Sequence, residues 1–227
     1  MNPLMETKER RTSVDAVFDY LYDQISSLQL LPGDKISEAE IASQFGISRQ
    51  PVRDAFSRLD NLGLLLIRPQ RATEVKRFSS REIEKSRFVR AAVEAEVIRR
   101  ATRHCDSEAE KRFNTALEDQ RKTVDLGDYD LFARLDYAFH KLLCDVAKAP
   151  YAFEVISAEK AKVDRLCMLS LSKEDRMPLL LRDHEQIVEN ILAGNEDKAV
   201  DIGMVHLSRL DETISAISKS NAEYFDS

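Results

Sequence analysis

The stretch of sequence that decides the fold is ISEAEIASQFGISRQPVRDAFSRL, residues 36–59. Its pattern predicts two short helices joined by a tight turn. Ser37 is placed to cap the first helix, and Gly46 readily adopts the left-handed backbone that ends it. Ser48 is placed to cap the second helix. Together these signals predict a helix-turn-helix.

The second of these helices has two different faces. Its apolar residues recur at the spacing of a buried stripe, namely Val52, Ala55, Phe56 and Leu59. Arg49 and Arg53 lie one turn apart on another face, with Gln50 beside them. In a DNA major groove, arginine can bind guanine edges and glutamine an adenine edge, and both can bind phosphates. The alternative is an ordinary helical hairpin whose arginines are solvated.

A β-hairpin is predicted directly after the helix-turn-helix. Residues 64–67 form a short apolar run, residues 68–72 a loop, and residues 73–76 alternate like a strand. Residues 48–77 hold seven Arg or Lys against three Asp or Glu, in a chain of net charge −6. A basic patch on an acidic protein is typical of a surface that binds nucleic acid. The alternative is DNA binding without any preferred sequence.

The composition of the chain favours a helical protein and argues against a secreted or membrane-spanning one. The chain has 227 residues, enough for one large or two modest domains, and 43% of them are hydrophobic. It has only six Gly and six Pro, which favours helix. No apolar run approaches 18 residues and no signal peptide is visible, so we expect neither secretion nor a membrane span. Three widely spaced cysteines, Cys105, Cys144 and Cys167, indicate reduced thiols and a cytoplasmic protein.

Along the chain, the predicted organisation is mainly α-helical. Residues 1–12 form a mobile tail, residues 13–77 the winged helix-turn-helix with a first helix at 13–29, and residues 221–227 a C-terminal tail. Residues 78–220 form an antiparallel six-helix bundle. Its helices are predicted near residues 80–103, 107–126, 129–147, 150–171, 177–194 and 196–219.

Three histidines of the predicted bundle lie on apolar helix faces: His140, His184 and His206. Asp136 precedes His140 by one turn, so the two side chains point the same way. A buried carboxylate and buried imidazoles need partners. A divalent transition metal would satisfy all four, and zinc suits them, with nickel or manganese as alternatives. For any one of these histidines alone, a hydrogen-bonded core residue is the competing interpretation.

Arg90 is the second unusual residue of the bundle. Ile83, Arg90 and Val97 are spaced by sevens, which places the guanidinium toward the core. A core-facing arginine requires an anion. Glu94, four residues further on, is one candidate, and a bound carboxylate ligand is the other.

The sequence resembles a known family over nearly its whole length. Residues 12–77, and FGISRQPVRDAFSRL above all, resemble the winged helix-turn-helix of GntR-family transcriptional regulators. Residues 80–219 resemble the FCD ligand-binding domain of the FadR-like branch, in FVRAAVEAEVIRRA, LDYAFHKLL and DHEQIVENILAGNEDKA. Six helices rather than seven make the second domain similar to the VanR-like subgroup.

The resemblance implies a function and a set of site residues. DNA contact is expected from Arg49 and Arg53, together with Ser48, Gln50 and Arg71. The metal ligands fall on Asp136, His140, His184 and His206, and the arginine that binds effector carboxylates falls on Arg90. The implied protein is a homodimer on a short palindromic DNA operator, controlled by a small organic or sugar acid. The alternatives are a metal-dependent hydrolase and a purely structural metal.

Overall fold

A computed structural model describes residues 12–167 and 173–226. Most of the predicted N-terminal tail, and residues 168–171 of the helix predicted at 150–171, lie outside these ranges. The fold divides into two compact units. The first runs to Phe78 and also includes the residues from Glu223 onward, and the second is Ser79–Ala222.

The first unit contains three helices and a small sheet. Its elements in chain order are α1 (Ser13–Ser26), β1 (Lys35–Ile36), α2 (Glu38–Phe45), α3 (Arg49–Asn61), β2 (Leu65–Leu66) and β3 (Thr73–Val75). Strand β3 is central and pairs antiparallel with both β1 and β2. The predicted hairpin is therefore confirmed as β2 and β3. Strand β1 was not predicted, and α1 ends three residues before the predicted end at residue 29.

Local signals explain these elements. The Ser37 hydroxyl accepts a hydrogen bond from the N–H of Ala39, and Gly46 ends α2 in the left-handed conformation with φ of 64°. The predicted stripe of α3 is fully buried, each of its four residues having 0% exposure. That stripe packs with Val17, Leu21 and Ile25 of α1 in one core. Burial of one face leaves the opposite face of α3 outside the core.

The second unit is a helical bundle. Its helices are α4 (Ser80–His104), α5 (Ser107–Leu126), α6 (Tyr129–Val146), α7 (Ala152–Cys167), α8 (Lys173–Leu192), α9 (Glu196–Ser208) and α10 (Leu210–Ser220). The boundaries of α4 to α6 agree with the predicted ones to within a residue. Their caps follow the sequence: the side chain of Ser79 caps α4, that of Asp106 caps α5 and that of Asp128 caps α6.

Two predicted helices of the bundle differ from the structure. The helix predicted at 196–219 is divided at Arg209, so the described part of the bundle has seven helices rather than six. The break is a single residue with helical backbone angles, so the likeness to the VanR-like subgroup stays a prediction. Helix α8 begins at Lys173 rather than at residue 177 and contains Pro178. Inside a helix, proline removes one backbone hydrogen bond and crowds the carbonyl four residues earlier, so Pro178 weakens the first turns of α8 without ending the helix.

The C-terminal residues, predicted as a tail, pair with the first unit. The N–H of Phe78 donates to the carbonyl of Tyr224 at 2.8 Å, and the N–H of Asp226 donates to the carbonyl of Phe78 at 2.8 Å. The rings of Phe78 and Phe225 lie 5.6 Å apart. We call residues 223–226 the return segment, because they follow the helical unit in sequence but belong to the first unit.

No described helix combines the length and the apolar character needed to cross a membrane.

Candidate functional site

The structure brings the four predicted metal-ligating residues together inside the bundle. Asp136 and His140 lie on α6, His184 on α8 and His206 on α9. All four are buried, and one potential ligand atom from each lies within 4.8 Å of the others. Three helices therefore direct an Asp and three His side chains at one point.

The packing of α6 explains why these polar groups face inward. Its buried face alternates apolar residues with the two ligands, and Phe132, Phe139 and Leu143 anchor that face in the core. The ring of Phe139 also stacks on His184, with centroids 4.1 Å apart and an interplanar angle of 21°. This stacking sets the plane of the His184 imidazole.

Outer residues occupy the second nitrogen of two of the histidines. Nδ1 of His140 lies 2.8 Å from Oε2 of Glu94, and Nδ1 of His184 lies 2.7 Å from Oε1 of Gln120. A partner at Nδ1 leaves Nε2 as the lone-pair nitrogen, which is how outer residues orient a metal-bound imidazole. His206 is held less closely, since its Nδ1 is 3.7 Å from Oδ2 of Asp183.

The protonation states suit a metal site. Burial lowers the pKa of His184 well below its usual value, so this imidazole is neutral. Burial alone would raise the pKa of Asp136, but the Lys160 ammonium and the neighbouring histidines hold it below its usual value. Burial likewise opposes ionisation of Glu94, yet His140 and Arg90 lower its pKa to about 2. The site thus offers a neutral imidazole and an ionised carboxylate, the forms that bind metals.

The residues present fit a metal ion. Among the described residues, Nε2 of His140 and Nε2 of His184 are buried and have no hydrogen-bond partner. Buried polar atoms without partners are costly in a folded protein. A cation bound between them would satisfy one nitrogen of each histidine.

Without a metal, the ion pairs that surround the four predicted ligands have a small negative formal charge. They comprise the cations Arg90, Lys160 and Arg209 and the carboxylates Glu94, Asp136, Asp164 and Asp183. Leaving the histidines aside, these three cations and four carboxylates carry a formal charge of −1. A divalent cation would change that charge to +1.

Arg90 is buried and lies beside a cavity. Its Nε donates to Oε1 of Glu94 at 2.8 Å, so the intrahelical partner considered from the sequence is present. Arg90 also lines a cavity of about 170 Å³, whose other walls are largely apolar and include Val163 of α7 and Met204 of α9. Arg90 therefore pairs with Glu94 beside the predicted ligands and also lines this partly open cavity.

The predicted DNA-contacting residues of α3 lie in the first unit, near the start of that helix. Ser48 is the N-cap residue, without a side-chain capping bond, and Arg49 is the first helical residue. The guanidinium of Arg53 forms two hydrogen bonds with the carboxylate of Glu38, of 3.0 and 3.3 Å. Gln50 donates to Oδ1 of Asp54 at 2.8 Å. All four predicted side chains are exposed.

Arg71 lies in the loop between β2 and β3 and is exposed. This loop turns tightly, since the N–H of Arg71 donates to the carbonyl of Arg68 at 3.3 Å. The turn places Gln70 in the left-handed region, with φ of 58°. The tip of the wing therefore achieves with a glutamine the conformation that glycine adopts more easily.

Three polar residues beside the four predicted ligands were not predicted from the sequence. A fourth was predicted in only one of its two contacts. Gln120, Lys160 and Asp183 were not predicted, while Glu94 was considered only as the partner of Arg90. A signal existed, because each missed residue follows the apolar spacing of its helix. Gln120 lies seven and three residues after the buried Phe113 and Leu117, for example.

Comparisons with known proteins agree with the fold. Residues 13–75 match the family described as "Bacterial regulatory proteins, gntR family", and residues 87–209 match the "FCD domain". The chain is 33% identical over 210 residues to the HTH-type transcriptional repressor RspR of Escherichia coli K12, with 92% of each protein covered. It is 28% identical over 193 residues to a probable D-xylose utilization operon transcriptional repressor of Paenarthrobacter nicotinovorans, covering 84% of this chain and 83% of that protein.

A solved structure supports the fold over most of the chain. The putative transcriptional regulator GntR from Rhodococcus sp. RHA1 superposes with a TM-score of 0.70 at 20% identity, covering 89% of this chain and 97% of the other.

The fold and these similarities define a DNA-binding transcriptional regulator with a helical effector-binding domain, not an enzyme. The chain belongs to the GntR family and carries an FCD domain.

Proposed function

We propose that this chain is a transcriptional repressor whose affinity for DNA is set by a small carboxylate bound at a metal ion in the FCD domain. Its relatives from E. coli and P. nicotinovorans are both named as transcriptional repressors. A protein that binds the chromosome of a bacterium acts in the cytoplasm. The proposal has a DNA-binding part and a sensing part.

For the DNA-binding part, helix α3 enters the major groove of an operator. Arg49 and Arg53 bind base edges or phosphates there, with Ser48 and Gln50 beside them. Arg71 of the wing contacts the neighbouring groove or backbone. Two copies form a homodimer, so the operator is a short palindrome. The supporting observation is that α3 buries one face completely while these side chains remain exposed.

Replacing Arg49 and Arg53 tests this part. An operator is first selected from a random duplex library with the wild-type protein. We expect Arg49→Ala and Arg53→Ala each to weaken operator binding by about 1–3 kcal/mol, which is roughly fivefold to 150-fold. Gel shifts at fixed salt measure the affinity. Arg58→Ala is the control on the same helix, because Arg58 pairs with Asp15 of α1 at 2.8 Å. Equal affinity of all four proteins would exclude α3 as the recognition helix.

For the sensing part, Asp136, His140, His184 and His206 hold a divalent metal, of which zinc suits the ligand set best and nickel or manganese are alternatives. The observation that carries this proposal is the convergence of four buried ligand atoms within 4.8 Å. Two of the inward-facing nitrogens, Nε2 of His140 and Nε2 of His184, have no hydrogen-bond partner among the described residues. Bound there, the metal would supply a positive centre for a carboxylate oxygen. The protein residues orient the ligands and exclude water.

The effector is a small anion, such as an organic acid or a sugar acid. The site would carry a formal charge of +1 with a divalent metal, and Arg90 presents a second positive group to the adjacent cavity. That cavity of about 170 Å³ holds the volume of roughly six water molecules. A compound with few non-hydrogen atoms is therefore the expected ligand.

A thermal-shift screen tests the sensing part. The metal-free protein is melted with zinc, nickel or manganese, each with and without a panel of small organic and sugar acids. We expect a metal to raise the melting temperature, and one class of acid to raise it further in the wild type but not in Arg90→Ala. Stabilisation by metal with no response to any acid would indicate a structural metal. No response to metal would exclude the site.

A further inference from the structure

Lys160 is a buried lysine that the proposed function leaves unused. It lies on α7 between the core residues Ile156 and Val163, and only 8% of it is exposed. Lysine is almost never fully buried unless it is paired. Nζ of Lys160 lies 3.1 Å from Oδ2 of Asp136 and 2.7 and 2.9 Å from the two oxygens of Asp164. It also lies 4.3 Å from the centre of the Tyr137 ring.

The two oxygens of Asp136 have different surroundings. Oδ2 is bound by the Lys160 ammonium and lies 4.0 Å from Nε2 of His140, whereas Oδ1 lies 3.4 Å from Nε2 of His184. Two ligand atoms bound about 2.1 Å from one ion lie about 3.0–3.4 Å apart at angles of about 90–110°. This range includes an ion that takes a fifth ligand besides the four side chains. Oδ1 is therefore the oxygen placed to share an ion with His184, and Oδ2 is already occupied.

We infer that Lys160 is a positioning residue of the metal site, which restricts Asp136 to coordination through Oδ1 alone and so keeps one coordination position open for the effector. This inference rests on the metal site proposed above. An aspartate free of Lys160 could bind the ion through both oxygens. The second oxygen would then fill a position that a ligand carboxylate needs.

Lys160 also opposes metal binding by its charge. An ammonium bonded to a ligand carboxylate repels a cation bound to the same carboxylate. Asp164 weakens this repulsion, because it shares the Lys160 ammonium with Asp136. The Asp164 side chain is 36% exposed, whereas that of Asp136 is 9% exposed. The balance between the two carboxylates therefore sets how strongly Lys160 holds Asp136.

Two substitutions with opposite expected effects test the inference. Lys160→Met keeps the length of the side chain and removes the ammonium, so zinc affinity should rise by about tenfold or more. Asp164→Asn leaves Asp136 as the only anionic partner of Lys160, so zinc affinity should fall. Competition with a chelator of known zinc affinity at pH 8 measures both in the full-length protein. X-ray absorption of the zinc-loaded Lys160→Met protein should show one additional oxygen ligand.

Lys162→Met is the matched control on the same helix, because Lys162 is 46% exposed and pairs with Glu159. Its zinc affinity should equal that of the wild type. A purely structural role for Lys160 predicts a lower melting temperature and zinc affinity no higher than in the wild type, and that result would overturn the inference. Wild-type protein that binds no zinc, nickel or manganese would instead overturn the metal site itself, and this inference with it.

Discussion

Gln120 acts on the site through a single atom. Its Oε1 lies 2.7 Å from Nδ1 of His184, so it accepts the proton of that nitrogen and directs Nε2 toward Asp136. Because Gln120 is fully buried, no water can replace it. Loss of an outer partner of this kind typically weakens metal binding by about 10–100-fold.

We therefore expect Gln120→Met, which keeps the volume but removes the acceptor, to weaken zinc binding by about 10–100-fold. Chelator competition measures the affinity. Gln186→Met on α8 serves as the control, since Gln186 is exposed. Unchanged zinc affinity in Gln120→Met would show that stacking on Phe139 orients His184 by itself.

Residues of this kind mark the limit of prediction from the sequence. The buried stripe of α3 was predictable because four apolar residues repeat with the helical period, and all four are fully buried. The same period places Gln120 on the buried face of α5. It does not reveal that an imidazole 64 residues further along the chain approaches that amide. The convergence of Asp136 with the three histidines was predictable, because a buried carboxylate and buried imidazoles on apolar helix faces need partners.

At the scale of elements, α4 and α9 pack closely at Gly203. A Cβ at this position would collide with Cδ1 of Ile98, a core residue with 2% exposure. Gly203 is thus the residue that lets the helix carrying His206 approach the helix carrying Arg90 and Glu94. In a helix interior, alanine is otherwise favoured over glycine by about 1 kcal/mol.

A double-mutant cycle tests this contact. Gly203→Ala adds the colliding methyl, and Ile98→Val removes Cδ1 at a usual cost of about 0.5–1.5 kcal/mol. We expect the double variant to be more stable than the sum of the single effects by about 1 kcal/mol, because the collision is gone. Urea unfolding of the metal-free protein measures the four free energies. Additive effects would mean that the Ile98 side chain simply rotates away.

The break between α9 and α10 shows why one helix boundary was missed. Arg209 has helical backbone angles, φ of −55° and ψ of −21°, and neither glycine nor proline marks the position. Its guanidinium binds both oxygens of the buried Asp183, at 3.0 and 3.1 Å. We attribute the break to this tertiary contact, which the spacing of apolar residues along the helix does not indicate.

At the scale of the whole molecule, the chain passes between its two units twice. It leaves the first unit after Phe78 and re-enters it at Glu223. The return segment pairs with Phe78 through two backbone hydrogen bonds of 2.8 Å and an aromatic contact. Arg77 adds a third bond, from Nε to the carbonyl of Glu223 at 3.1 Å.

We expect Phe225→Ala to destabilise the first unit by about 1 kcal/mol, since aromatic pairs contribute about 0.5–1.5 kcal/mol beyond their buried area. The amide of Phe78 should exchange with solvent faster, while amides in the core of the second unit should be unaffected. Hydrogen exchange followed by mass spectrometry or NMR measures both. Asp226→Ala is the control, because Asp226 contributes its backbone N–H to the pairing. Unaltered exchange at Phe78 would show that the segment contributes nothing to the first unit.

The bridge between Phe78 and Phe225 gives the helical unit the topology of an insertion. Its entry and exit points lie on neighbouring stretches of backbone, as the two ends of a surface loop do. Because this bridge is parallel, residues 79–222 could be replaced only by a crossover linker of about a dozen residues, with which the DNA-binding head would keep its C-terminal pairing segment. The same junction would accept a helical cassette from another regulator, so that one head could be placed under the control of a different metabolite.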